Sequence, residues 1–254
     1  MRRILLAAAL LLLAHSAWAQ LALDGTGNGF EGQGSFTSVA TTSPLTTTHS
    51  GDIIIAQINI LNTAAITQTI TSVTGGGLTF TKRHSTGSLA VASGFQAQID
   101  IWWAIAASPV SSTNFTANLS ASVPQVGIVV FGVSGASTVT PFDTNASLPK
   151  VASSTSTSAT PTATGVSTSA SNTMIFASTL ANATGNPGSG YTFIGTDGGS
   201  DNEYKIVSSP QSSISVAFGA ADAGFGYVII ADALQQGSGG TPSNNFIFVP
   251  ATVP

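Results

Sequence analysis

The chain has 254 residues, and only 6 % of them are charged, against about 25 % in an ordinary soluble domain. Its formal net charge is −4 and it has no cysteine. The acidic balance excludes a nucleic-acid backbone as partner, and the missing cysteine excludes disulfide staples, thiol chemistry, Cys-ligated zinc and covalent haem attachment.

Residues 1–19 read as a cleavable export signal. Arg2 and Arg3 form a positive start, residues 4–13 an apolar stretch, and Ala17-Trp18-Ala19 a cleavage site before Gln20. Removing them leaves four basic residues against ten acidic ones. Beyond residue 20 no apolar run approaches the ~20 residues of a spanning helix. The expected location is extracellular or on a cell surface, with no transmembrane anchor after cleavage.

Residues 20–50 are rich in Gly, Ser and Thr and read as an extended lead-in. Gly27-Asn28-Gly29-Phe30-Glu31-Gly32 matches the dinucleotide-binding G-x-G-x-x-G pattern by letter. That pattern works only between a strand and a helix, and no helical stripe follows, so the stretch is expected to be flexible. Residues 52–60 (DIIIAQINI) predict a strand with Ile54, Ala56, Ile58 and Ile60 on its inward face. Strands follow at 69–73, 78–81, 98–106 and 114–120, with Gly75-Gly76-Gly77 as a turn. Residues 126–133 (VGIVVFGV) are apolar on both faces, as in a central strand.

The second half replays this order. Residues 172–180 echo 52–60, 190–193 echo 77–80, 214–218 echo 115–119, and 226–230 echo 127–131. This predicts one sandwich domain over 51–236 made of two pseudo-repeats, 51–140 and 170–236. Residues 141–165 are either a linker or a Thr/Ser-rich edge strand. Residues 237–245 form a flexible leader to a short apolar strand, Phe246, Ile247, Phe248 and Val249. Helix formers are scarce and β-branched residues abundant. The expected class is all-β: an antiparallel β-sandwich, jelly-roll-like, with two pseudo-repeated halves.

The stretches GDIIIAQI, ITSVTGGGLTFTKR, IDIWWAIAASP, QVGIVVFGVSGAS and PFDTNAS, followed by EYKIVSSP, ISVAFG and FGYVIIADAL, resemble secreted β-sandwich domains of bacterial surface and phage-associated proteins. The resemblance covers residues 45–236. It implies a jelly-roll-like sandwich and no catalytic residue set.

Chemistry-bearing residues are few. His49 and His84 each neighbour a serine, and Asp52 lies close to His49 in sequence. A Ser-His-Asp site needs more than such proximity, so no catalytic residue is assigned. Asp197, Asp201 and Glu203 lie on a Gly-bent loop that either is a solvated hairpin loop or offers oxygen ligands to Ca²⁺, although its spacing is not that of an EF-hand. In Trp102-Trp103, strand alternation sends the two rings to opposite faces. Trp103 shares a face with Ile99, Ile101 and Ile105 and reads as core. Trp102 is then either an outward, ligand-stacking candidate or covered by a second packed layer or a loop. The terminal strand around Phe246, Ile247, Phe248 and Val249 either closes its own sheet or adds to a neighbour's edge.

The leading expectation is a secreted, non-enzymatic structural or surface protein that self-associates by terminal strand exchange. The alternatives are a carbohydrate-binding or adhesive module resting on Trp102, a virion-associated structural protein, and a hydrolase acting through a facing pair of acids.

Overall fold

The computed structural model describes residues 20–181, 186–219 and 224–237. The expected export signal and the expected terminal strand lie outside the described residues. The described chain is all-β with antiparallel sheets packed against each other, as a sandwich requires.

The first sheet takes its strands from the first half of the chain. They are β1 (Ala22–Ala40), β2 (Asp52–Asn62), β3 (Ile70–Thr74), β4 (Thr81–Ser85), β5 (Leu89–Ala90), β6 (Gln96–Ala106) and β7 (Thr116–Ser134). Their order is β1-β7-β2-β6-β4, with β3 also on β7 and β5 on β6. The second half supplies β8 (Lys150–Ser154), β9 (Thr162–Val166), β10 (Thr173–Leu180), β11 (Thr192–Thr196), β12 (Ser200–Val207), β13 (Ile214–Ala217) and β14 (Tyr227–Gln235). The second sheet runs β11-β12-β10-β14-β8, and β9 and β13 form a separate ribbon. Residues 141–165 thus hold an edge strand, β8, and half of the ribbon.

The sequence pattern of β2 explains the layering. Every residue from Asp52 to Ile60 is buried. Ile53 and Ile55 face the second sheet, where they meet a core that includes Phe131, Ile101, Met174, Phe176 and Ile230. Ile54, Ala56, Ile58 and Ile60 face the other way, among Ile128, Val130, Phe115 and Val39. The single inward face read from the sequence is therefore one of two. The cover on that second face comes from the same half of the chain: the far end of β1, Leu45, β3 and the first residues of β7. In the second sheet, Ile175, Ala177, Ile229 and Ala231 are covered by Ala163, Val166, Val216 and Phe218 of the ribbon and its flank. The result is four layers and three apolar cores. Each buried isoleucine contributes about 1.5–3 kcal/mol relative to leaving it exposed.

The N-terminal segment corrects a sequence expectation. Residues 22–40 are a 19-residue strand paired with β7 from Ala22 to Ala40. Its glycines serve close packing. A methyl group on Gly25, Gly27 or Gly29 would run into the backbone oxygen of Thr46, Ser43 or Ala40, respectively. The chain returning from β1 therefore lies directly on it, fixed by Thr42 N–H to Asn28 O at 2.7 Å and Ser43 N–H to Asn28 O at 3.0 Å.

The two sheets have matching strand orders. β2 and β10 are each central, flanked by β7 and β6 in one sheet and by β14 and β12 in the other. The positive-φ residues Gly51 and Asn172 immediately precede them. Asp52 thus corresponds in place to Thr173, one residue further along than the alignment of 52–60 with 172–180 puts it.

Gly29→Ala is expected to lower stability by about 1–3 kcal/mol through overpacking, seen as a lower urea midpoint with the m-value unchanged. An unaltered midpoint would mean that residues 40–46 do not rest on β1.

Candidate functional site

Trp103 packs against the inter-sheet core, and its ring meets Phe142 edge-on at 5.6 Å between centroids. Ile99 and Ile101 share that core, while Ile105, near the strand end, is 39 % exposed. Trp102 does not face solvent. It is 8 % exposed, packed in the core behind the first sheet, with the Lys82 ammonium 5.9 Å from its ring centroid. Of the two readings of Trp102, the stacking platform is corrected, because a further layer covers that face.

The acidic stretch is also redistributed. Asp197, Asp201 and Glu203 are 7 %, 3 % and 0 % exposed. Opposite residues of a pair share a face, and Asp201 and Glu203 pair with Thr179 and Ala177 of β10. They therefore face the ribbon side. Asp197 turns into the inter-sheet space, where it meets Asn59 of the first sheet. The three carboxylates do not converge, so the Ca²⁺ site read from their spacing is not formed.

Asp197 anchors a polar tie between the sheets. Its carboxylate accepts from Asn59, from the N–H groups of Gly199 and Ser200 at 3.0 and 2.9 Å, and from the Ser200 hydroxyl at 2.9 Å. Burial pushes its pKa up, and these donors oppose the rise. Beside the tie lies a cavity of about 140 Å³ lined by Phe30, Asn59, Leu61, Leu180, Gly199 and Phe225 among others. A second tie joins β4 to β14. Arg83 Nε donates to Asp232 at 2.8 Å, and its guanidinium stands 4.3 Å from the Phe142 ring centroid. Asp232 is fully buried, and burial raises its pKa against the pull of Arg83. Lys82 pairs with buried Asp100 at 2.6 Å.

At one end of the first sheet the fold gathers Asp24, His49 and Asp52. Their ligand-type atoms lie within 4.8 Å of one another, the one such group of three found among the described residues. The register of β1 slips between Leu23 and Thr26, and Gly25 adopts φ +85° there. This bulge aims Asp24 at the loop entering β2. Asp24 Oδ2 accepts the N–H groups of Thr48 and His49 at 2.8 and 3.0 Å, and His49 Nδ1 lies 2.9 Å from the same oxygen. Burial works against ionisation of Asp24, but its donors, His49 first among them, hold its pKa well below the usual range. The hydrogen bond to Asp24 raises the pKa of exposed His49. Burial and the neighbouring Asp24 carboxylate push Asp52 up to about 6.

This is not a catalytic triad. Thr48 Oγ1 and Asp24 both meet His49 through Nδ1, whereas a triad histidine bridges its acid and its nucleophile through different nitrogens. The cluster joins residues 24 and 49–52 through a bulge that residue spacing does not announce; the one sequence hint was the nearness of His49 to Asp52. His84 is held apart, and burial lowers its pKa. No family model, curated protein or solved structure matches the chain.

Two outcomes test these ties. Arg83→Ala strands a buried charge and is expected to cost about 3–5 kcal/mol in chemical denaturation; a loss below 1 kcal/mol would mean that the pair is not a tie. Burial raises the Glu203 pKa to about 7 from an ordinary 4.5. Between those values the folded chain keeps a proton that the unfolded chain has lost, so stability falls as pH rises through the window. Glu203→Gln should remove about 1–3 kcal/mol of that fall, measured as the difference between paired urea melts at pH 4.5 and 7.5. Parallel pH profiles would contradict the assignment.

Proposed function

We propose that this protein is a non-enzymatic structural component of an extracellular surface, exported by its N-terminal signal and self-associating through Phe246, Ile247, Phe248 and Val249. The observation that carries this reading is where the buried polar side chains are spent. Arg83 with Asp232, Asn59 with Asp197, and Asn28 with the Thr196 carbonyl each run from the first sheet to the second. These groups hold layers together. A surface low in charge and rich in hydroxyls suits a protein packed among copies of itself. β8 is a short edge strand with β14 on one side, and an edge is where an added strand finds free backbone groups. The matched strand orders of the two sheets further support an origin by internal duplication, with residues 51–140 and 170–236 as its halves.

Light scattering on the full chain and on a form ending at residue 236 tests the assembly. Polymers from the full chain and monomers from the shortened one are the expected result, and a synthetic 243–252 peptide should bind the shortened form. Two monomeric forms would sink the reading.

A further inference from the structure

Asp24 has a counterpart in the second half of the chain. Asp143 accepts the N–H groups of Ser169 at 2.9 Å and Ala170 at 2.8 Å, just ahead of β10, as Asp24 accepts those of Thr48 and His49 ahead of β2. Each aspartate caps the loop that leads into the central strand of its own half. In the second half the cap is complete without further acids: Ala170 stands where His49 does, and Thr173 where Asp52 does. Capping therefore accounts for Asp24, and both His49, which pairs with Asp24, and Asp52 are additions that the second half does without.

Asp52 is the more telling of the two. It is 0 % exposed, and neither carboxylate oxygen makes a hydrogen bond of good geometry; its nearest polar neighbours are the Asp24 carboxylate and Thr47. Four other buried aspartates, Asp100, Asp143, Asp197 and Asp232, are compensated. Asp100 has Lys82, Asp232 has Arg83, Asp143 has backbone N–H groups, and Asp197 has four donors. A buried carboxylate left without a donor or counter-charge is costly. Asp52 is aimed at Asp24 and His49, and the His49 side chain is 64 % exposed, so the cluster opens to solvent.

We infer that Asp24, His49 and Asp52 bind a divalent transition-metal cation of the Zn²⁺ class, which pins β1 to the start of β2. Two carboxylates and one imidazole form a borderline donor set. The nitrogen favours Zn²⁺ over the all-oxygen preference of Ca²⁺ and Mg²⁺. Ligands held at 2.0–2.1 Å around a tetrahedral ion sit about 3.3 Å apart, a small opening of the 2.9 Å His49–Asp24 contact. The ion displaces the proton on His49 Nδ1, which leaves to solvent, and Asp24 keeps its backbone donors. Water completes the shell on the exposed side.

The test is calorimetric titration of tag-free full chain, stripped with chelator, with Zn²⁺, Co²⁺ and Ca²⁺ at pH 7.5. One equivalent of Zn²⁺ should bind and raise the Tm, Co²⁺ should give a low-coordinate visible spectrum, and Ca²⁺ should bind more weakly. His49→Gln and Asp52→Asn should each weaken Zn²⁺ binding by roughly 10–100-fold or more, and His84→Gln should leave it unchanged. His49 is on the surface, so its variant keeps the fold even if Asp52→Asn does not. Absence of Zn²⁺ binding, equal binding by His49→Gln, or a preference for Ca²⁺ would each overturn the assignment.

Discussion

The fold depends on the burial of both faces of its two central strands. β2 and β10 have no side that tolerates water, so each sheet must be covered twice. One cover is the opposite sheet. The other has to come from the same half of the chain, and that need produces the long β1 and β7, the returning segment at 40–46, and the β9–β13 ribbon. With about 6 % charged residues, the chain has few ions to solvate a face, so covering it is the stable solution.

Burying so much sheet also buries charge, and the molecule handles this in two ways. Most acids are paired across elements, which turns a desolvation cost into a registration device: a sheet that slid would separate Arg83 from Asp232 and Asn59 from Asp197. Asp52 lacks such a pairing, and it sits where a bulge has brought a second acid and an imidazole. The bulge, the capped loop and the buried carboxylate are physically one feature, because Gly25 allows the turn of backbone that aims Asp24.

Much of this was legible in the chain. Apolar alternation marked most of the strands, and the unbroken apolar run at 126–133 marked a strand buried on both sides. Of the echoed segments, 52–60 with 172–180 and 127–131 with 226–230 fall on strands next to each other in their own sheets, whereas 214–218 lies in the ribbon. Three features were hidden for definite reasons. Gly25, Gly27 and Gly29 look like flexibility in sequence, whereas they admit a neighbouring backbone. For Trp102, alternation reports opposite faces without saying whether the second is covered, so the sequence leaves both readings open. Asp197 is close to Asp201 and Glu203 in sequence, but a hairpin turn and a two-residue period send them to opposite sides of the sheet.

The division of labour between the two halves bears on how the chain is made. The strands of the first sheet and their outer cover all lie before residue 135, so their hydrogen bonds need nothing from the second half and can form before it is made. Ile53, Ile55, Ile101 and Phe131 then face water until Met174, Phe176 and Ile230 arrive. For that interval the half-made protein is a sheet with one bare apolar wall, the state in which β proteins aggregate. The second half is in this sense the first half's chaperone as well as its partner. A stall in the Ser/Thr-rich segment between them would be more harmful than one near the end.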